Sequence, residues 1–183
     1  MKALKPCLAL LAVAAIVGAL AGCSMTSAKT PDVSDNIRTS LDKAGYKDVS
    51  VTHDRDKGVV TLSGHVVADA DKSQAQSIAS SFAGSEVVSN QIAVLPLGGE
   101  SDAKNMNSDL DKGVASNLDA ALINAKLHDN VKYAVKNHVV TLTGDVGSQS
   151  TRDQAQMVAA AVPNVQQVVN ELQVKSQKAT SSN

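Results

Sequence analysis

The chain has 183 residues, with 17 Lys and Arg against 18 Asp and Glu and a formal net charge of −1. A near-neutral surface without clustered Lys and Arg excludes general attraction to nucleic acid. Tyr46, Phe82 and Tyr133 are the only aromatic residues, so whatever core forms is aliphatic and thin.

Lys2 and Lys5 precede an apolar run over 7–21 that closes on Leu20-Ala21-Gly22-Cys23. The run has the length of a signal-peptide core and falls short of the roughly 20 apolar residues of a spanning helix. Its ending resembles the lipobox of bacterial lipoproteins. That resemblance implies removal of residues 1–22 and thioether lipidation of Cys23, so the mature protein is anchored by acyl chains and does not span; each buried methylene contributes about 0.8 kcal/mol. Cys7 leaves with the signal and Cys23 is consumed by lipid, which leaves no thiol for a disulfide, a metal site or a nucleophile. Losing Lys2 and Lys5 lowers the basic count from 17 to 15 against 18 acids, a net charge near −3. Ser24 stands where lipoproteins retained at the inner membrane often carry aspartate, so the same resemblance implies the periplasmic side of the outer membrane.

Residues 23–31 form a polar tether. Val33, Ile37 and Leu41 then recur every four residues after Asp32, an N-cap type, and Gly45 stops the run, which predicts an amphipathic helix. Val49, Val51 and His53 alternate with polar residues, Asp56-Lys57-Gly58 supplies turn chemistry, and Val60 and Leu62 alternate up to Gly64: a β-hairpin. Ala75, Ile78, Ala79 and Phe82 fall on one helix face before Gly84, and Val88 to Val94 alternate as a third strand. Pro96 to Ser101 is turn-rich, and 96–107 reads as a linker.

The same order then returns. Val59-Val60-Thr61-Leu62-Ser63-Gly64 recurs as Val139-Val140-Thr141-Leu142-Thr143-Gly144, and the spacing of 80 holds from Gln74-Ala75-Gln76 to Gln154-Ala155-Gln156. A longer helix opens at Ser108 with Asp111 three residues on and carries Leu110, Val114, Leu118, Ala121, Leu122 and Ala125. A second opens at Ser150 with Asp153 as a capping box and aligns Ala155, Val158, Ala159 and Val162. The chain is an internal repeat of two small domains, 32–95 and 108–175, with a polar tail over 176–183. The fold class is α+β: two tandem α-β-β-α-β units, each a three-stranded sheet covered on one face by two helices, the other face open to water. The third strand lies beside the second in a mixed sheet or beside the first in an antiparallel one.

The element order, the Val-Val-Thr-Leu-Ser/Thr-Gly-x-Val segments at 59–66 and 139–146, and the closing Val-x-Asn-x-Ile/Leu-x-Val segments at 88–94 and 168–174 resemble the BON domain. The resemblance implies a mixed sheet. With the lipobox it is similar to the family's outer-membrane lipoproteins, which implies binding of anionic phospholipid and support of the envelope barrier, with membrane contact through the first helix of the second copy. That helix maps to about 109–126. Ile123 and Leu127 lie off its core stripe, with Lys112 and Lys126 at either end, so these four are the candidate lipid-binding residues. The alternative is a protein-interaction module that docks an envelope partner on the open sheet face or in the inter-domain groove.

Gly64 and Gly144 read as points where a strand passes into a loop and backbone freedom is needed. Asn90 and Asn170 read as local backbone hydrogen-bonders. Hairpin pairing sets His53 near Val60 and His65 near Asp48, while His128 and His138 sit near opposite ends of the equivalent strand, so no metal ligands cluster. The carboxylates are scattered over polar faces, and no Ser-His-acid set or Gly-rich phosphate loop occurs. No enzyme activity, metal or cofactor is expected.

Overall fold

The computed structural model describes residues 31–175, so Cys23, the signal segment and the tail lie outside the described residues. The first unit opens with α1 (Ser34–Lys43), which buries Ile37 and Leu41. Asp32 caps it from one residue further out than expected, because Val33 holds the cap position while the Asp32 carboxylate accepts Ser34 N at 3.0 Å and Ser34 Oγ at 2.6 Å. Gly45 ends the helix at φ +94°. β1 (Val49–Asp54) and β2 (Val59–Val66) pair antiparallel, with His53 opposite Val60 as the alternation predicts. α2 (Asp69–Ala83) buries Ala75, Ala79 and Ala83. Phe82 does not join that stripe: it is 40% exposed, and the small Ala83 lets the helix sit close to the sheet instead.

The third strand is broken into β3 (Val87–Asn90) and β4 (Ala93–Val94), both parallel to β2. The sheet is therefore mixed, in the order β1-β2-β3 with β4 also on β2. Asn90 makes the break: its Oδ1 accepts Ile92 N at 3.4 Å, and its Nδ2 donates to Lys72 O and Gln76 Oε1, both at 3.1 Å, so the bend is tied to α2. Asn170 repeats the device with Leu172 N, Arg152 O and Gln156 Oε1.

The second unit runs α3 (Glu100–Asn124), β5 (Lys132–Lys136), β6 (Val139–Thr143), β7 (Asp145–Val146), α4 (Gln149–Ala160), β8 (Gln167–Asn170) and β9 (Gln173–Val174). β5 is antiparallel to β6, β8 is parallel to β6, and β9 is parallel to β7. α3 begins at Glu100, not at Ser108, and so takes up most of the expected linker. Nothing over 100–107 breaks a helix, and Glu100 and Asp102 complement the N-terminal dipole. Periodicity missed this stretch because most of it lies beyond the domain's own core. For the same reason Leu110, expected inside, is 36% exposed, while Val114, Leu118 and Leu122 are buried. α4 is capped by Ser148, whose Oγ accepts Thr151 N at 3.1 Å, and not by Ser150.

Two separate cores result. One joins Ile37, Leu41, Val60, Leu62 and Ile92; the other joins Leu118, Leu122, Leu127, Val140 and Leu142. At Gly64 and Gly144, φ is +100° and +124°, and a Cβ would overlap the carbonyl oxygens of Asp48 and Asn130, respectively. Both glycines serve the backbone, as expected.

Candidate functional site

Side chains alternate along a strand. Val60 and Leu62 face the helices, so Val59 faces the other way, as do Val139 and Val169. These three form a third apolar cluster, each no more than 5% exposed. The sheet face expected to be open to water is therefore partly closed, because the helix-free faces of the two domains meet along β3 and β8.

The seam is organised by the repeat. Lys57 Nζ lies 2.6 Å from Glu171 Oε2, and Asn137 Nδ2 donates to Gln91 O at 2.8 Å. Lys57 and Asn137 are equivalent by the spacing of 80, as are Gln91 and Glu171, so each hairpin tip touches the strand bend of the other domain. This is the reciprocity of an isologous interface, built within one chain. At its centre the symmetry is broken. Gln167 Nε2 donates to Val88 O at 2.6 Å and its Oε1 accepts Asn90 N at 2.9 Å, so one side-chain amide pairs with the outer edge of β3 as a strand would. Val87 occupies the equivalent position in the first copy and has nothing to offer β8. Lys72 faces Gln166 Oε1 at 3.3 Å, and burial lowers its pKa.

The four residues expected at lipid are not brought together. Ile123 is exposed, at 53%, and Lys112 and Lys126 are exposed, but Leu127 is 5% exposed and belongs to the core. After the helix ends, Lys126 turns at φ +57° and drives Leu127 inward, with its N–H bonded to Leu122 O at 2.9 Å. Lys112 and Ile123 share an azimuth on α3, eleven residues apart, or roughly 16 Å. Between them Asp119 accepts the Tyr133 hydroxyl at 3.1 Å and lies 3.1 Å from His128 Nε2. Burial and this carboxylate raise the Tyr133 pKa.

Sequence reasoning did not assign a role to His53. Its side chain is 1% exposed, with Nε2 2.9 Å from Glu86 Oε2 and Nδ1 3.5 Å from Asp32 Oδ1. It thus ties the start of α1 and the α2–β3 loop to β1. Its place in the Val49, Val51, His53 alternation was the available signal. Asp32 itself is held down to about 2, chiefly by its hydrogen bonds from Ser34 and secondarily by His53. Among the described residues no three His, Cys, Asp or Glu side chains converge on a metal position.

A groove of about 690 Å³ opens between the domains, walled by β5, the first half of α3 and the tip of β2 and β4. Asp111 sits in it and accepts Asn137 N and His138 N at 2.7 and 2.8 Å, holding a two-residue hairpin turn in which both residues have positive φ, +47° and +67°. No helix among the described residues is long and apolar enough to cross a membrane.

The BON domain family model matches residues 30–96 and 110–176. The chain is 31% identical over 137 residues to osmotically-inducible protein Y of Escherichia coli strain K12, covering 74% of this chain and 67% of that protein. Among solved structures, CdsD, a structural protein of the type III secretion system of Chlamydia trachomatis, superposes with a TM-score of 0.36 at 14% identity, over 79% of this chain and 93% of that one. With the family model matched twice, once on each repeat, the chain belongs to the BON-domain family as a tandem member.

Proposed function

We propose that the protein is a lipid-anchored envelope protein of the periplasmic side of the outer membrane, which contacts anionic phospholipid through the end of α3 and supports the envelope under osmotic stress. The observation that carries the reading is Ile123, a large apolar side chain left 53% exposed beside the exposed Lys126 where α3 ends. An apolar contact flanked by a cation suits an anionic interface, where each cation contributes about 1 kcal/mol. The likeness to an osmotically inducible protein supports the stress role. Cys23 supplies the anchor, and a tether of about ten residues spans roughly 17 Å, enough to hold the first domain at the bilayer.

Co-sedimentation with phosphatidylglycerol vesicles tests the contact. Ile123→Asp with Lys126→Glu should abolish retention at low salt, while Lys43→Glu on α1 should not. Equal retention of variant and parent, with unchanged circular dichroism, overturns the α3 contact. Cys23→Ala should remove acyl labelling and outer-membrane fractionation, and unchanged labelling overturns the anchor.

A further inference from the structure

The groove between the domains touches five consecutive residues, Tyr133 to Asn137. Side chains of successive strand residues point to opposite faces, so a cavity that meets all of them runs along the strand's free edge and not over a face. Among the described residues β5 is the outer strand of its sheet and pairs only with β6. The two-residue turn Asn137-His138 makes its flanking pair, Lys136 and Val139, a closely hydrogen-bonded one. Alternation then turns the N–H and C=O groups of Tyr133 and Val135 outward. Among the described residues no hydrogen bond from another element reaches these groups.

Elsewhere side chains occupy part of two other strand edges. Arg38 donates to the carbonyls of Val49 and Lys47 at the start of β1, and Gln167 closes β3. In the second copy the residue after the core Leu118 is Asp119, which has no N–H to give where Arg38 follows Ile37. The opposite wall of the groove is one face of α3. Lys104, Ser108, Asp111 and Ala115 share the azimuth that faces the core at Leu118 and Leu122, and here it faces open space because the helix overruns its sheet.

The charge is one-sided. Lys104, Lys112 and Lys136 line the groove, and the sole carboxylate among its described lining residues, Asp111, has both oxygens engaged by the turn amides. Lys112 also keeps an exposed pair with Asp109 at 3.0 Å.

We propose that the free edge of β5 is a docking site for an extended acidic segment of a partner protein, which adds as a strand between β5 and α3. Main-chain bonds to Tyr133 and Val135 supply the affinity, and the three lysines select acidic side chains. The site is separate from the Ile123 surface, so each can fail without the other.

The test uses residues 23–183 and fluorescence anisotropy with labelled peptides of roughly eight residues, a strand's length. The three peptides alternate glutamate with valine, alternate lysine with valine, or repeat the glutamate sequence with alternate amides N-methylated. The glutamate peptide should bind; the lysine and N-methylated peptides should bind at least about tenfold more weakly. Lys104→Glu with Lys136→Glu, at exposed positions that leave the fold intact, should weaken the glutamate peptide at least about tenfold and leave phosphatidylglycerol vesicle retention unchanged. Val135→Pro, which deletes an outward N–H and leaves the β6 ladder, should do the same. Absence of glutamate-peptide binding overturns the proposal, as does indifference to N-methylation or to the double charge reversal. Loss of vesicle retention in place of peptide binding overturns it in favour of a lipid surface.

Discussion

Lys57 at the tip of the first hairpin and Glu171 in the last strand bend are 2.6 Å apart across the domain seam, and the equivalent pair on the other side, Asn137 and Gln91, is uncharged. The hydrogen bond that Lys57 donates to the Glu171 carboxylate is the main cause that raises the Lys57 pKa above its ordinary value. A raised pKa in the folded state means the bond's stabilisation is complete below the ordinary lysine range and is lost as pH rises through the folded value. Lys57 is 41% exposed, so screening keeps the contribution below about 1 kcal/mol. Glu171→Gln should therefore cost a few tenths to about 1 kcal/mol in urea unfolding near neutral pH, and the difference should fade as pH rises through the raised Lys57 value, above the ordinary lysine range. A cost that persists there contradicts the assignment.

Val169 tests the seam itself. It is 1% exposed among Val59 and Val139, so Val169→Asp buries an unpaired carboxylate at a cost of several kcal/mol unless the domains part. Because each domain keeps its own core, parting is the cheaper response. Circular dichroism should stay unchanged while the radius of gyration from small-angle scattering rises. Compactness retained with a loss of helix signal would show that the domains do not fold independently of the seam.

Glycine substitutions should separate by position. Gly64→Ala and Gly144→Ala force a Cβ onto a carbonyl oxygen at positive φ and should each cost more than about 2 kcal/mol. Gly113 lies inside α3 with nothing within 4 Å of its absent Cβ. Gly113→Ala should therefore stabilise by about 1 kcal/mol. Thermal melts of the three variants check both signs.

The Asn137-His138 turn stores strain that Asp111 restrains. His138 stands where the first copy has Gly58, and their φ values nearly coincide at +67° and +65°. His138→Gly should relieve roughly 1 kcal/mol. Asp111→Ala strips acceptors from both turn amides and should cost about 1 to 3 kcal/mol, with faster hydrogen exchange at Asn137 and His138. Unchanged exchange there would mean that the carboxylate does not hold the turn.

The fold was legible where chemistry repeats at short range. The hairpin register, the glycine positions and the inward stripes of α1 and the latter half of α3 follow from local alternation and period. The seam was not legible, since Val59, Val139 and Val169 sit at positions that periodicity assigns to a solvent face, and only the docking of the second domain buries them. Leu127 was misplaced for a related reason: extending the helical azimuth past Lys126 ignores the left-handed turn that swings the chain inward. The groove along β5 depends on the overrun of α3 through residues that carry no apolar rhythm, so no single-chain period announces it.

In an assembly of two identical chains every substitution at the contact occurs twice, so a change that suits one side is forced on the other. Joining both halves in one chain lifts that restriction. One hairpin tip here carries a cation and its counterpart an amide; one sheet edge is closed by Gln167 while Val87 leaves the mirrored position plain. Sequence drift has been able to specialise the two halves separately, so one can keep a structural duty while the other acquires a surface of its own.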